Sequence, residues 1–307
     1  MKKFLSVLMA GAMLFGVLTL AGCGDTTTDT GEDTTTTEDT TTTAEFTTVT
    51  EGVLTMSTNA AFPPYEMTDD SGNIVGIDAE IAAAIAEKLG LELEILDMDF
   101  DGALAAPQSG KSDIVMAGVT VNEERQLVLD FTETYANGVQ VVIVPEDSDI
   151  QTIEDLEGKK IGTQRGTTGY LYCSDTVENG GFGEENVVAY DDAIAATQAL
   201  NNGQVDCVVI DSAVADNLVA TNPGLTTLET EYTNEDYAIG VAKGNTALLD
   251  AINAALQELI DDGTVQSIID KYIPSDGAEA DTAGATDEAG ATDEAGATDG
   301  AEADTAA

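Results

Sequence analysis

Two arginines and no histidine bound the chemistry open to this chain. A guanidinium is planar and presents parallel N–H donors, which suits a carboxylate held by two bonds at once. Arg125 closes the block Ala117-Gly-Val-Thr-Val-Asn-Glu-Glu-Arg125. Thr120 lies two residues after Gly118 at a strand exit, where a hydroxyl and free backbone groups can face a bound group. Asp211 follows the apolar run Cys207-Val-Val-Ile210, so its carboxylate emerges at a strand's carboxyl end. There it serves as a fixed anion or as the cap of a helix starting at Ser212. Thr168 opens a helix after Gly166, and the free N–H groups of a helix start favour an anion; Thr167 or Thr168 can also act simply as the cap. The lack of histidine excludes Ser-His and Cys-His nucleophile pairs, and no catalytic residue is assigned.

The elements that must position these groups sit between two tails. Lys2 and Lys3 precede an apolar stretch over 4–20, and small residues lead to Cys23. A basic start, an apolar middle and a small-residue exit describe an export signal over 1–22, too short and too Gly/Ala-rich at its end for a permanent span. Leu20-Ala21-Gly22-Cys23 resembles the lipobox of bacterial lipoproteins. That resemblance implies cleavage before Cys23, a lipid on its sulfur and anchoring at the extracytoplasmic face of the cell membrane, stable with two or three acyl chains. The alternative is a plain secretory signal with Cys23 free. Residues 23–49 then form the lipidated cysteine and a Thr/Asp-rich linker. Residues 276–307 form an acidic tail in which Ala-Gly-Ala-Thr-Asp-Glu recurs from Ala283. Neither stretch buries enough apolar surface to offset its ordering entropy, so both are expected to be disordered.

The formal net charge is -48, and the body shares it with the tails. Such a surface excludes nucleic acid and anionic lipid as partners of its general face. Without histidine or a second cysteine pair, neither a zinc site nor a cofactor is expected. Cys173 and Cys207 are either disulfide partners in an exported protein or two buried thiols.

The body alternates strand-like and helix-like runs. Strands are expected at 53–57, 91–96, 113–117, 139–144, 161–163, 205–210 and 237–242. Asp78 can cap a helix carrying Ile77, Ile81, Ile85 and Leu89, closed by Gly90. Further helices are expected at 102–109 with Pro107 near the end, from about 167, at 191–202, at 247–262 and at 265–272. The repeated β-α-β order implies an α/β fold with parallel-rich sheets flanked by helices. Gly/acid-rich zones near 133–138 and 229–236 flank the block 161–210. Two lobes follow, the second inserted into the first: 50–137 with 238–275, and 138–237. Ligands of such sheets bind beyond the strands' carboxyl ends, here the cleft between lobes.

In chain order the body carries Asn59-Ala-Ala-Phe-Pro-Pro-Tyr-Glu66, Gly72-Asn-Ile-Val-Gly-Ile-Asp78, Gly110-Lys-Ser-Asp113, the block ending at Arg125, Asp130-Phe-Thr132, Asp155-Leu-Glu-Gly158, Gln164-Arg-Gly-Thr-Thr168, and Gly203-Gln-Val-Asp206 leading to Asp211. Together they resemble the family 3 amino-acid-binding proteins of ABC importers, with the periplasmic-binding-protein fold of the second topological type. The resemblance implies a monomeric binding lipoprotein, not an enzyme, that captures a polar amino acid between closing lobes and delivers it to an ABC transporter permease. It implies that Arg125, Thr120 and the backbone at Thr168 hold the ligand carboxylate. Asp211 and the Gly118 carbonyl accept from the ammonium, Phe62 and Phe100 wall the aliphatic stem, and Asn59 and Gln164 read the side chain. Relatives that bind cationic amino acids tend to carry an acid at the Asn59 position. The amide here suits a glutamine-like ligand, with a basic one as the alternative. Asn122 stands where the family usually has threonine. Pro107 stands where a helix leucine is usual and should shorten that helix. Two other classes compete. A dehydratase-like enzyme on this scaffold would need a general acid in the cleft, for which Glu66 is the nearest candidate. A sensory or adhesive surface lipoprotein would lack a functional clamp, against which Arg125 and Asp211 together speak.

Overall fold

The computed structural model describes residues 46–228 and 232–274. The expected signal segment, Cys23, most of the linker and the acidic tail lie outside the described residues. The described residues begin inside the stretch assigned to the linker: Phe46 packs against the core, and the Val49 N–H donates to Asp113 Oδ1 at 2.6 Å.

The first half of the chain runs β1 (Val53–Thr58), β2 (Ala61–Phe62), β3 (Glu66–Thr68), β4 (Ile74–Val75), α1 (Ile77–Leu89), β5 (Glu92–Asp97), α2 (Phe100–Ala105), β6 (Ile114–Val115) and β7 (Leu129–Pro145). Then follow β8 (Ile161–Gln164), α3 (Thr168–Ser174), β9 (Val187–Tyr190), α4 (Ala193–Asn201), β10 (Cys207–Asp211), α5 (Ser212–Thr221), β11 (Leu225–Thr227), β12 (Thr233–Ala242), α6 (Thr246–Asp261) and α7 (Thr264–Tyr272). Asp99 accepts from the Gly102 N–H and starts α2 at Phe100, two residues earlier than the sequence predicts; the helix stops before Pro107.

The large sheet has the strand order β5-β1-β6-β12-β7-β10-β8-β9, with β11 paired to β7. β1 is parallel to β5 and β6, and β8 is parallel to β9 and β10. β7 is antiparallel to β10, β11 and β12. The fold is the expected two-lobe α/β architecture, but its sheet is mixed and continuous rather than split into parallel sheets. The reason is β7, whose 17 residues run straight through the Gly/acid-rich stretch 133–138. Its ladder with β12 pairs the backbone from Leu129 to Gln140, so glycine and polar side chains are carried by main-chain bonds rather than by strand propensity. α1 packs Ile77, Ile81 and Ile85 against Leu248, Ile252 and Leu256 of α6, all fully buried. A second cluster, Val142, Val144, Leu156, Ile161, Cys173 and Val209, fills the far part of the sheet. Among the described residues no helix is long and apolar enough to cross a membrane.

Asp78 does not cap α1. Gly76 stands at the N-cap without a side-chain bond, and Asp78 turns into the core, fully buried. It accepts from the Gly118 N–H at 2.9 Å and from the Tyr135 hydroxyl at 2.7 Å. A buried carboxylate with two donors outcompetes a cap exposed to water. Cys173 and Cys207 are free thiols, both buried, and burial pushes the Cys173 thiol up to about 12.

Candidate functional site

Strand ends deliver the predicted residues to one place. Asn59 follows β1, with its Nδ2 donating to the Met98 carbonyl at 2.8 Å. Phe62 lies on β2 and stacks on Tyr65 with ring centroids 5.8 Å apart. Phe100 opens α2. Gly118 has φ +54, and a Cβ there would stand 2.9 Å from the Phe62 ring, so the position needs glycine twice over. On the other side, Gln164 ends β8, Thr168 begins α3 and Asp211 ends β10. Thr167 is the α3 cap, accepting from the Tyr170 N–H.

All nine residues singled out from the sequence line a single cavity: Asn59, Phe62, Phe100, Gly118, Thr120, Arg125, Gln164, Thr168 and Asp211.

Arg125 is 7% exposed. Its Nη1 donates to the Thr120 carbonyl at 2.8 Å and its Nη2 to the Gly166 carbonyl at 3.3 Å. The guanidinium lies over the Phe100 ring, 5.3 Å from the centroid. Burial lowers its pKa, opposed chiefly by the charge of Glu235. Asp211 has no exposure at all. Its Oδ2 accepts from the Tyr237 hydroxyl at 2.9 Å and the Val139 N–H at 3.2 Å, while Oδ1 accepts from Ala213 and Val214 and so caps α5. Both readings of Asp211, cap and cavity anion, hold together. Burial pushes it up to about 6, against the pull of these donors. Neither Arg125 nor Asp211 has an ion-pair partner among the described residues. A buried cation and a buried anion thus line one cavity without such partners.

Two of the predicted groups meet each other: Gln164 Nε2 donates to Asn59 Oδ1 at 2.9 Å. This contact and that of Arg125 with Gly166 join chain segments far apart in sequence. Gly166 has φ +73, and a Cβ there would fall on the Asp101 carboxylate.

The sequence reading missed part of the wall. Gln140, Glu235 and Tyr237 also line the cavity. Glu235 is 4% exposed and accepts from the Thr120 hydroxyl at 2.8 Å and from Gln140 Nε2 at 3.2 Å. Glu235 and Tyr237 lie on β12, Glu235 inside the acid-rich zone 229–236 and Tyr237 at the start of the strand expected over 237–242, where the alternation Glu235-Asp236-Tyr237 was the available signal. Glu66, considered only as a candidate general acid, lines the cavity fully buried. Burial and the neighbouring Asp78 carboxyl push its pKa well above the ordinary value.

Residues 54–275 match the sequence profile of the bacterial extracellular solute-binding proteins, family 3. The chain is 30% identical over 285 residues to a probable histidine-binding protein of Neisseria gonorrhoeae, covering 91% of this chain and 98% of that one. Among solved structures, it is similar to an ancestral arginine-binding protein bound to glutamine, with a TM-score of 0.68 and 41% identity over 74% of this chain and all of the other. An ancestral arginine-binding protein bound to arginine matches with a TM-score of 0.68 and 42% identity, over 72% of this chain and 98% of that chain.

Proposed function

Because the chain belongs to the bacterial extracellular solute-binding proteins, family 3, we propose that it captures a polar α-amino acid in the cavity and hands it to the permease of an ABC importer. The observation that carries this reading is the pair Arg125 and Asp211, opposite buried charges on one cavity without ion-pair partners among the described residues. The α-carboxylate takes the remaining guanidinium N–H groups of Arg125, with Thr120 and the first N–H groups of α3 at Thr168 as further donors. The ammonium takes Asp211 and the Gly118 carbonyl. Phe62 and Phe100 enclose the stem, while Asn59 and Gln164 face the side chain. The ligands named for the relatives make basic and amide side chains the first to screen.

Residues 50–137 with 238–275 form one lobe and 138–237 the other, joined where β7 and β12 cross. The contacts of Arg125 with Gly166 and of Gln164 with Asn59 then span the lobes, so a bound ligand favours the closed arrangement. The mature protein acts as a monomer, held at the outer face of the cell membrane by lipid on Cys23. It returns its ligand chemically unchanged.

A thermal-shift screen of the twenty amino acids tests the reading. One or a few polar amino acids should raise the melting temperature and, at saturation, shrink the radius of gyration. A screen with no response refutes it, and a bound amino acid recovered chemically altered points to the enzyme alternative. Cys23→Ser should leave the protein unprocessed or released from membranes. A mutant that stays membrane-bound with a mature N-terminus removes the anchor.

A further inference from the structure

Glu66 lies at the start of β3, fully buried, on the cavity wall. Neither of its carboxyl oxygens accepts a hydrogen bond from any donor among the described residues. Buried polar groups in native structures are almost always satisfied, so an orphan at a cavity calls for a partner. The side chain it meets is Asp78, a second buried carboxyl. Two carboxyls side by side in an apolar setting do not both ionise. Asp78 is held as the anion by the Gly118 N–H and the Tyr135 hydroxyl. Glu66 therefore carries the proton and donates it to Asp78. Asp78 of α1, Asp97 at the end of β5 and the hydroxyls of Tyr65 and Tyr135 are the titratable groups around it; none of them is a cation. Asp97 also accepts the Ala60 N–H at 2.9 Å, and Glu66 and Asn59 line the same cavity.

Resting on the amino-acid reading above, we propose that Glu66 selects the ligand side chain by exchanging its proton for a cation. An amino acid with a guanidinium or ammonium on its side chain displaces the proton and pairs with the carboxylate. A neutral amide binds the protonated acid and displaces nothing. The step balances simply: the Glu66 O–H bond breaks, its electron pair stays on the carboxylate, and water or buffer takes the proton. The surroundings favour the exchange. A zwitterion offsets Arg125 and Asp211, while Asp78 and the unpartnered oxygen of Glu235 leave the wall negative. One site can thus accept both an amide and a cation despite the neutral Asn59.

Calorimetry on the wild-type protein with L-arginine and L-glutamine, in phosphate and in Tris near neutral pH, counts protons. Arginine should release about one proton and glutamine none, and arginine affinity should rise with pH through neutrality, by up to about tenfold per pH unit. Glu66→Gln should abolish the release and weaken arginine by roughly 30-fold or more, narrowing its affinity ratio to glutamine. If that variant fails to fold, the wild-type proton count decides alone. Arginine bound without proton release overturns the inference, as does a protein that binds neutral amino acids and no cationic one; either leaves amino-acid binding standing. A wild type that binds none of the twenty removes both.

Discussion

The two ends of the cavity are built on opposite plans. At one end each charge is braced by the chain's own backbone. Arg125 donates to the carbonyls of Thr120 and Gly166, and Asp211 accepts four hydrogen bonds and caps α5. At the other end two amides touch each other, and an acid stands with no donor. The first end cannot adapt without losing bonds that hold the fold, so it fits what all α-amino acids share. The second consists of groups that can exchange partners or protons, so it fits what distinguishes one side chain from another. On the proposed reading, the preorganised groups secure the class of ligand and the adjustable ones settle the member.

The largest test of that contrast is to break the braced end. Arg125→Ala and Asp211→Ala should each cost about 2–5 kcal/mol of binding, because each leaves a ligand charge buried and unpaired. Asp211→Ala should in addition lower stability by roughly 1 kcal/mol through the lost cap. Calorimetry and thermal melts separate the two effects. Near-wild-type affinity in either variant would show that the braced end is not where the zwitterion sits.

A second test uses pH. Asp211 is raised to about 6 in the folded protein, from an ordinary carboxylate value. The unliganded fold therefore binds its proton more tightly than the unfolded chain does, and stability falls as pH rises from about 4 to 6. The group's share is on the order of 2–3 kcal/mol at most. Asp211→Asn lacks this slope, so the stability gap between wild type and variant should move in the variant's favour across the window. Amino-acid affinity has the opposite sense: an ammonium needs the ionised carboxylate, so binding should strengthen as pH rises through about 6. Parallel melting curves for the two proteins across the window would remove Asp211 as the titrating group.

A smaller effect is expected beside the braced end, at Gly138 on β7. A Cβ there would stand 2.4 Å from the Tyr237 hydroxyl and 2.5 Å from Asp211 Oδ2. Gly138→Ala must push both aside at a cost of about 1–3 kcal/mol. Affinity should fall with stability, because the displaced atom is the proposed ammonium acceptor. A variant that loses stability alone would separate the β7–β12 crossing from the site.

The charged pair and the amide pair were both legible in the sequence, while Glu235, Tyr237 and the burial of Glu66 were not. Arg125, Thr168 and Asp211 announce themselves by type: a scarce arginine after acidic neighbours, a threonine after a glycine, an aspartate ending an apolar strand. Their positions follow from strand ends, which periodicity marks well. Glu235 escaped because β7 and β12 are held by pairing with each other across nearly a hundred residues, a tertiary fact that local composition disguises as linker; Tyr237 opens an expected strand but was not read as part of the wall. Asp78 misled for a related reason. Its place at the start of α1 suits a cap, and only packing against Gly118 and Tyr135 turns it inward. Glu66 inherits its protonated state from that turn, so no reading of the sequence alone could reach it.

The smallest expected effect lies at the adjustable end. Asn59 is half-buried, donates to the Met98 carbonyl and accepts from Gln164. Neither bond touches the braced end, and a neutral hydrogen bond contributes only about 0.5–1.5 kcal/mol net. Asn59→Ala frees the Gln164 amide to turn toward the ligand or toward water, so part of the loss is recovered. Affinity for the best ligand should change by about 1 kcal/mol or less. The order of ligands should change more than the affinity of any one, since the amide pair bears on the side chain and not on the shared zwitterion. Competition binding against a panel of amide, basic and hydroxyl amino acids reads that order directly. A uniform weakening across the panel would place Asn59 with Arg125 and Asp211 and erase the division between the two ends. A reshuffled order at nearly constant strength would sharpen it.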